Sequence, residues 1–343
     1  MVFDEAGTYQ IEYTATDECG NTTNAERTVI VESPPTYRTV LYTDGTFIIN
    51  ESDRDEAHNI ELHGAATNVY VPFDPNGATN VDKYIFATET SRPWDSEASL
   101  IKTVEFGSTI KPTSLRNWFY NLNNLESFDK TNLDTSDVTN MSSMFYHCAK
   151  ITSVDLSNLD MSKVTTFANL FYSCSLLSTV NLENVNAQNA NNMYQMFYEC
   201  SRLTSVNWVG FNAISVTDFR YVFNRCSRLP QIDLSVINTS NVTNMIAAFR
   251  SCDMLTELDL SGFDTSNVTD MSNMFRECQA LTTIYASSSF VVSQATSSSN
   301  MFSSCVNLVG GAGTVWSSIN PLDKTYAHID GGVSDPGYFT AKN

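Results

Sequence analysis

The side chains of this chain that could act in catalysis or bind a metal are few and widely separated. Four histidines occur, at His58, His63, His147 and His328, and none has the spacing of a zinc site, a catalytic triad or an acid–base pair. No glycine-rich loop precedes a predicted helix in the manner of a phosphate-binding site. The sequence therefore predicts a protein that is not an enzyme and that needs neither a cofactor nor a metal.

Cysteine is the reactive residue that recurs at a regular spacing. Seven of the eight cysteines are 26 or 27 residues apart, and Leu122 occupies the equivalent position one period earlier. Because that position accepts leucine, we interpret the cysteines as buried free thiols that pack as small apolar side chains. Disulfides between neighbouring units are the alternative, and zinc is disfavoured because no pair has a Cys-x2-4-Cys spacing. The seven are Cys148, Cys174, Cys200, Cys226, Cys252, Cys278 and Cys305.

These cysteines belong to a sequence repeat with a period of 26 residues. Each unit carries a Leu-x-x-Leu-x-Leu segment such as Leu255–Leu260, which is typical of a half-buried strand. Each unit also carries a segment such as Met141–Cys148, whose apolar residues at i, i+3, i+4 and i+7 predict a short amphipathic helix. A threonine before that segment, Thr139 for example, could cap the helix start. A phenylalanine marks every unit: Phe119, Phe145, Phe171, Phe197, Phe223, Phe249, Phe275 and Phe302.

A unit of this size cannot bury its own apolar stripe, so successive units must stack. The period and the leucine spacing predict an α/β solenoid of the leucine-rich-repeat type, a right-handed superhelix with one parallel β-sheet and short helical turns. Between strand and helix, a column that includes Asp134, Asp160 and Asp264 fits side chains that accept a hydrogen bond from the backbone two residues on. A ladder of cations is the alternative, although half of the column is asparagine.

The residues outside the repeats predict three further segments. Residues 1–33 contain two alternating strands and predict a β-hairpin, which is part of an immunoglobulin-like domain. Residues 34–106 begin with an Asp-Gly hairpin and predict a β-rich N-terminal cap. Residues 107–305 then hold eight repeats, and residues 306–343 form a C-terminal cap. Because an immunoglobulin-like sandwich needs about seven strands, we expect the chain to begin within a longer protein.

The composition is acidic and only weakly ionic. The formal net charge is −19, and charged residues make up 17% of the chain, against about 25% in typical globular domains. Nucleic acids and anionic membranes are not expected partners, because both require lysine and arginine to neutralise phosphate. No run of 18 apolar residues and no signal-peptide pattern occurs, so we expect neither membrane insertion nor an export signal within this chain.

The consensus Asp-Thr-Ser-Asn-Val-Thr-x-Met-Ser-x-Met-Phe-x-x-Cys-x-x-Leu-Thr-x-Leu-Asp-Leu resembles the repeat of the BspA-like bacterial leucine-rich-repeat surface proteins, in their 26-residue subgroup. Residues 37–50 and 323–332 resemble that family's caps, and residues 6–21 resemble the last strands of a bacterial immunoglobulin-like surface domain. The resemblance implies a cell-surface or secreted protein that binds host matrix glycoproteins or other cells. It brings no catalytic motif.

Two columns of outward-facing side chains are candidates for recognition. The strand column lies on what should be the concave sheet face: Asp129, Asp155, Asn181, Asn207, Asp233, Asp259 and Tyr285. The turn column lies beside the predicted helices and is rich in Tyr and Arg, which most enrich interfaces: Tyr120, Tyr146, Tyr172, Tyr198, Asn224, Arg250 and Arg276. The alternative interpretations are a solvated sheet face for the first column and packing between turns for the second.

We therefore predict a non-catalytic, monomeric binding protein of the adhesin type, located on the cell surface or secreted. We expect its partner to be a protein or glycan on a host or neighbouring cell, contacted by side chains that protrude from the repeats. The alternative is a structural spacer that presents another domain on a bacterial or phage surface.

Overall fold

The computed structural model describes residues 7–16, 18, 20, 22–31, 37–44, 46–52, 66–73, 95–107 and 109–342. In this described part, strands and turns dominate, and the helices are three short 3-10 segments, Asp95–Glu97, Lys324–Tyr326 and Gly332–Ser334. None of these helices has the length and apolarity needed to cross a membrane. The arrangement is compatible with a repeat solenoid, whose handedness stays a prediction.

The N-terminal residues form antiparallel hairpins. Strands β1 (Gly7–Thr16) and β2 (Thr22–Val31) pair with each other, which confirms the hairpin predicted from their alternation. Strand β3 (Tyr37–Tyr42) then pairs with β4 (Thr46–Ser52) and with β5 (Ala66–Phe73), so the two predicted strands on either side of the Asp-Gly sequence are paired in antiparallel fashion.

The first repeat continues the second of these sheets. Strand β4 pairs in parallel with β6 (Thr103–Phe106), and β6 pairs in parallel with β7 (Ser127–Phe128). The sheet therefore runs β5-β3-β4-β6-β7 and changes from antiparallel to parallel at β4. The strands of residues 34–106 are joined to the repeat stack by backbone hydrogen bonds.

The later repeats form two separate parallel sheets of three strands. One contains β8 (Ser153–Asp155), β9 (Thr179–Asn181) and β10 (Ser205–Asn207). The other contains β11 (Glu257–Leu260), β12 (Thr283–Ala286) and β13 (Phe339–Ala341). Partners in each sheet are 26 residues apart within the repeats, so the units stack in register. The prediction of one parallel sheet is wrong, because no strand forms between β10 and β11.

Two residues account for this interruption. Pro230 stands where the neighbouring repeats have Thr204 and Thr256, and the N–H of Thr204 donates to the carbonyl of Ser178 at 2.9 Å. Proline has no N–H to donate. Trp208 stands where the previous unit has Leu182, and its indole Nε1 donates to the carbonyl of Asp233 at 2.7 Å. In the regular unit, the backbone N–H of leucine makes the equivalent bond.

The segments predicted as short helices are successions of turns, so this part of the prediction is wrong. In the unit containing Phe145, the N–H groups of Met144, Tyr146 and Cys148 donate to the carbonyl three residues earlier. The intervening N–H groups donate to the next repeat, for example Phe145 to Leu170 at 2.9 Å. Helices pack about 8–10 Å apart, whereas strands that stack in a sheet are about 4.8 Å apart. Turns can follow the narrower spacing without leaving N–H groups unbonded.

The threonine column also has a different role from the predicted helix cap. The hydroxyl of Thr165 donates to the carbonyl of Thr139 at 3.1 Å, and the Thr243 hydroxyl donates to Thr217 at 3.3 Å. The side chain that starts each turn is one residue later, as where Asn140 accepts the N–H of Ser142 at 2.8 Å. Threonine therefore joins neighbouring repeats instead of capping a helix.

Most of the core is one apolar cluster that extends through the repeats into both flanking sheets, and Tyr42 and Ile48 form a small second cluster. The centre of the large cluster is the phenylalanine column, whose neighbouring ring centroids lie 5.4–6.1 Å apart. The seven repeat cysteines are buried and free of disulfides. Each thiol donates to the carbonyl of the phenylalanine one unit earlier, as Cys226 does to Phe197 at 3.1 Å. The thiols thus act as hydrogen-bond donors as well as apolar side chains.

The C-terminal residues close the stack around Asp330. Its carboxylate accepts the N–H groups of Ala312 and Thr314 at 2.9 Å, the Thr314 hydroxyl at 2.7 Å and the Gly332 N–H at 2.9 Å. Burial alone would raise the pKa of Asp330, but these hydrogen bonds outweigh it and hold the pKa well below its usual range. The carboxylate therefore joins the loop after the last repeat to the segment that leads into β13.

Candidate functional site

The backbone of the turns sets the spacing of the turn column. Each tyrosine follows the core phenylalanine, and the next residue has a positive φ, 56° at His147 and 59° at Glu199. A positive φ at the third position is the mark of a type II turn. The N–H of His147 donates to the carbonyl of Tyr172 at 2.8 Å, so successive tyrosines are held in register.

The four tyrosines of the turn column form one continuous ring stack. The ring centroids of Tyr120, Tyr146, Tyr172 and Tyr198 lie 4.5, 4.6 and 4.7 Å apart along the stack, with interplanar angles of 5–9°. Tyr120 is buried and the other three are half-buried. The inner rings therefore cover each other's faces and present their edges to solvent. Burial, followed by the charges that Tyr146 and Tyr198 would carry, raises the pKa of Tyr172 to about 12.

The turn column changes character after Tyr198. Asn224 is buried, and a separate residue, Tyr221, contacts the Tyr198 ring edge to face at 6.4 Å. Arg250 and Arg276 both bind Glu277, with N–O distances of 3.2 and 3.1 Å. The structure thus places the predicted Tyr and Arg residues along one edge of the repeat stack. Both arginines, however, already form an ion pair with Glu277.

The members of the strand column are mostly exposed and already hydrogen-bonded. Asp155, Asp233 and Asp259 each accept the N–H of the residue two positions on, at 2.9 Å. Asp155 also pairs with Lys130 at 2.9 Å, and Asp259 with Lys342 at 2.6 Å. Burial would raise the pKa of Asp155, but its bonds from Ser157 and Lys130 lower it overall.

The strand column borders two different environments. Between β8 and β10, a shallow depression of about 510 Å³ is lined by Ser153, Thr179 and Ser205 together with the column residues of the same strands. At the C-terminal end, the Lys342 ammonium lies 5.0 Å from the centre of the Tyr285 ring. The structure does not bring Asp155, Asp233 and Asp259 into one cluster.

The turn aspartates between strand and turn act as predicted. Asp134 accepts the N–H of Ser136 at 2.9 Å, and Asp160 accepts that of Ser162 at 2.9 Å. The bonds from Ser136 are also the main reason that the pKa of Asp134 is lowered. Among the described residues, no group of three or more His, Cys, Asp or Glu side chains is arranged to hold a metal ion.

A groove beside the tyrosine stack is the feature that sequence reasoning missed. It has a volume of about 450 Å³ and is lined by Ser175, Ser201 and Ser227, with Glu199, Arg225 and Asp253. We call it the serine groove. The Glu199 carboxylate pairs with Arg225 and accepts the hydroxyl of Ser173 at 2.8 Å. The recurrence of serine directly after the cysteine, at Ser175, Ser201 and Ser227, is the sequence signal that could have identified it.

Comparison with protein families supports a surface-associated protein. Residues 3–31 match the family described as "Bacterial surface protein, Ig-like domain", which agrees with the hairpin formed by β1 and β2. No curated protein and no solved structure matches the chain. The more specific resemblance to BspA-like leucine-rich repeats stays a prediction. Two successive matches, to residues 113–208 and 206–312, together span more than half of the chain and show that it belongs to the family described as "Mycoplasma protein of unknown function, DUF285".

Proposed function

We propose that this protein is a non-catalytic binding protein of the adhesin type, exposed on the cell surface. We propose that it recognises a protein or glycan through the turn side of its repeats, the side that carries the turn column. The observation that carries the proposal is the tyrosine stack. Four aromatic side chains from consecutive repeats lie in one line, and three of them are half-buried at the surface.

The stack suits recognition because its side chains are ordered before a partner arrives. The two inner rings, Tyr146 and Tyr172, are each held between two neighbours, and the turns beneath are hydrogen-bonded to both adjacent repeats. Binding then costs little side-chain entropy, since the rotamers are already fixed. Tyrosine also offers an apolar ring edge and a polar hydroxyl in one residue, and it is frequent among the residues that carry interface energy.

The strand-side depression is the second candidate surface. Its hydroxyl and carboxamide groups could bind a polar ligand, but Asp155 is paired with Lys130, and Asn181 accepts a bond from Asn207 at 3.0 Å. A ligand would have to compete with these contacts. We therefore favour the turn side.

The proposal is tested by screening the purified chain on arrays of matrix proteins and glycans, followed by affinity measurement for any partner found. The decisive variant is Tyr146→Phe with Tyr172→Phe, because it keeps the stacked rings and removes two hydroxyls. We expect this variant to lose at least tenfold in affinity at an unchanged melting temperature. The matched control, Ser153→Ala with Thr179→Ala, removes two hydroxyls from the strand side and should leave affinity unchanged.

Two outcomes would contradict the proposal. Equal affinity of the tyrosine variant together with weakened binding of the strand-side control would move the site to the depression. Absence of any saturable partner on both kinds of array would instead favour the structural spacer.

A further inference from the structure

One row of hydroxyl groups in the serine groove donates its protons to the protein backbone. The Ser201 and Ser227 hydroxyls each donate to the serine carbonyl one repeat earlier, at 3.3 Å. The Ser175 hydroxyl donates in the same way to the carbonyl of Ala149 at 3.4 Å. A carbonyl oxygen can only accept a hydrogen bond, so the direction of these bonds is fixed. Each of the three hydroxyls therefore offers a ligand only its lone pairs.

The other serine hydroxyls of the groove donate to carboxylates. The Ser173 hydroxyl donates to Glu199 at 2.8 Å, and the Ser251 hydroxyl donates to Glu277 at 2.8 Å. An ionised carboxylate, like a carbonyl, only accepts hydrogen bonds. All five serine hydroxyls of the lining thus have their protons engaged, and the surface that they form is one of hydrogen-bond acceptors.

The charges of the groove add to this acceptor character. The cationic side chain of the lining, Arg225, is paired with Glu199. Asp253 also lines the groove, and within the described part of the chain its carboxylate forms no ion pair and accepts no hydrogen bond. Burial and then the charge of Glu277 raise the pKa of Asp253, because both disfavour its ionised form. The unpaired charge of the groove is therefore negative, and a cation beside it would offset both effects.

A buried acceptor without a donor adjoins the groove. Asn224 precedes Arg225 in the chain, and its backbone carbonyl accepts the N–H of Glu199 at 2.8 Å. Its side chain is buried, and the Oδ1 atom has no hydrogen-bond partner among the residues that the structure describes. A buried acceptor in this state favours a ligand that brings donors.

We propose that the serine groove binds a basic segment of a protein partner, with a lysine or arginine side chain of the partner beside Asp253. The inference rests on the proposed binding function and names the class of partner. Ammonium and guanidinium groups carry only donors, which matches a groove whose hydroxyls offer only acceptors. An anion would meet Asp253 and find no free hydroxyl donor. The net charge of −19 also attracts cations over longer distances.

The length of the groove favours a peptide over a small amine. From Ser173 to Ser251 the lining spans three repeat steps, about 14 Å at the 4.8 Å spacing of stacked strands. An extended peptide rises about 3.3 Å per residue, so about four residues fit along the groove. Their backbone N–H groups can donate to the serine hydroxyls while the basic side chain reaches Asp253.

The test uses as probes a labelled seven-residue peptide with two lysines among glycine and serine, the same peptide with both lysines acetylated, and free spermidine. We expect the lysine peptide to bind the intact chain saturably, with an affinity that falls as salt is raised. Acetylation removes the charge of the lysine, so it should weaken binding at least tenfold. Spermidine that binds as tightly as the peptide would overturn the assignment to a protein segment.

Two variants separate the charge of the groove from its hydroxyls. Asp253→Asn removes the unpaired charge at nearly constant size and should lose at least tenfold in affinity for the lysine peptide. The matched control, Glu257→Gln, removes an exposed carboxylate from β11 on the strand side of the same repeat and should bind like the wild type. Ser201→Ala with Ser227→Ala keeps Asp253 but removes two acceptors, and we expect at least a threefold loss. Melting temperatures of all variants show that each remains folded.

Undiminished binding by the Asp253→Asn variant would overturn the inference, as would equal loss in the Glu257→Gln control, which would show non-specific attraction to an acidic chain. Wild-type affinity of the serine variant would show that charge alone holds the peptide and would exclude the groove. If the lysine peptide fails to bind while a partner dependent on the tyrosine hydroxyls is found, the inference fails and the proposed function stands. If the peptide binds through Asp253 while the tyrosine variant keeps its affinity for its partner, the inference stands and the tyrosine stack is excluded.

Discussion

The strand side and the turn side of the repeats differ in how continuous their parallel backbone pairing is. On the strand side, the parallel pairing stops after β10 and begins again at β11. On the turn side, the parallel pairing is continuous through all eight repeats and connects Ser114, Asn140, Thr166, Asn192, Asp218, Asn244, Asp270 and Ser297. The turn side therefore sets the register of the stack, and the strand side can lose its pairing without the register changing.

The difference has a basis in what each side buries. The strands are only three or four residues long in β8 to β12, and their outward side chains are polar. An interrupted strand thus exposes a few groups to water, which can satisfy their hydrogen bonds. The turn side buries the phenylalanine and cysteine columns, so a shift there would open the core and leave buried N–H groups unpaired.

The largest effect that we predict is for a ring in the phenylalanine column. Phe197 is fully buried and stacks between Phe171 and Phe223, at 5.4 Å from each. We expect Phe197→Ala to reduce the free energy of unfolding by about 3–5 kcal/mol. Val180→Ala, on the strand side of the preceding repeat, should cost about 2 kcal/mol for the apolar surface that it removes. Chemical denaturation measures both, and a larger loss for Val180→Ala would refute the greater importance of the turn side.

The register of the stack could be predicted from sequence because a repeat converts sequence spacing into position. Residues 26 apart, such as Phe145 and Phe171 or Val154 and Val180, lie side by side in the structure. The same spacing aligned the tyrosines and indicated which position of each unit faces inward. No knowledge of the conformation within a unit was needed for these predictions.

The conformation within the turn side could not be predicted from the same pattern. Apolar residues at i, i+3, i+4 and i+7, as in Met141–Cys148, fit one face of a helix and also the inner positions of successive turns. The turns need a positive φ at two positions per unit. Glycine at those positions would have indicated such turns, because glycine adopts a positive φ readily. Here Ser143, His147 and other non-glycine residues adopt it, and asparagine, which favours positive φ, occurs in only some units, as at Asn169 and Asn273. The close approach of the next repeat decides the conformation, and that is a tertiary effect.

For the candidate site, the alignment of the residues in a column could be predicted from the sequence, but the contacts of their side chains could not. Sequence spacing placed Tyr146 beside Tyr172, yet it could not tell that the rings would cover each other's faces. It also could not show that Arg250 and Arg276 would share Glu277. Such differences depend on side-chain directions at a Ser-rich surface, where many residues have the same composition.

The tyrosine stack at the surface of the turn side should also contribute to stability. Tyr146→Ala with Tyr172→Ala removes three stacked ring contacts, each of about 0.5–1.5 kcal/mol. We expect a loss of roughly 2–4 kcal/mol in the free energy of unfolding. The phenylalanine pair at the same positions should be nearly neutral. An unchanged melting temperature of the alanine variant would show that the rings do not contribute to packing.

The stack should also show a pH dependence. The pKa of Tyr172 is raised above its unfolded value of about 10, so its contribution to stability is present below pH 10 and is lost as the pH rises through about 12. Ultraviolet titration of the native protein should show a late-ionising phenol, and Tyr172→Phe should remove it. If the phenol that is lost in Tyr172→Phe titrates in the wild type with an ordinary tyrosine pKa, the predicted shift is contradicted.

A smaller effect is predicted for the cysteine column. Burial raises the pKa of the Cys226 thiol, so the native protein should react with thiol reagents mainly when it unfolds. Because the thiol donates to the Phe197 carbonyl, Cys226→Ser keeps a hydrogen-bond donor in place, and we expect it to cost about 1 kcal/mol. Cys226→Ala loses both the donor and volume and should cost about 2 kcal/mol. If serine is much worse than alanine, the carbonyl does not accept its hydroxyl.

The smallest effect should come from repairing the strand side. Pro230→Thr restores an N–H that can donate to the Thr204 carbonyl, as Thr204 itself does to Ser178. The hydrogen bond is worth about 0.5–1.5 kcal/mol, and the greater freedom of the unfolded chain without proline takes back about 0.4–1 kcal/mol. The net change in the free energy of unfolding should therefore be small, between about −0.5 and +1.1 kcal/mol. Hydrogen exchange gives the sharper measurement, because the new amide at 230 should be protected.

Rapid exchange at this amide would show that Trp208, whose indole donates to the Asp233 carbonyl, is by itself enough to keep the strands apart. The double change with Trp208→Leu should then be needed to close the gap between β10 and β11.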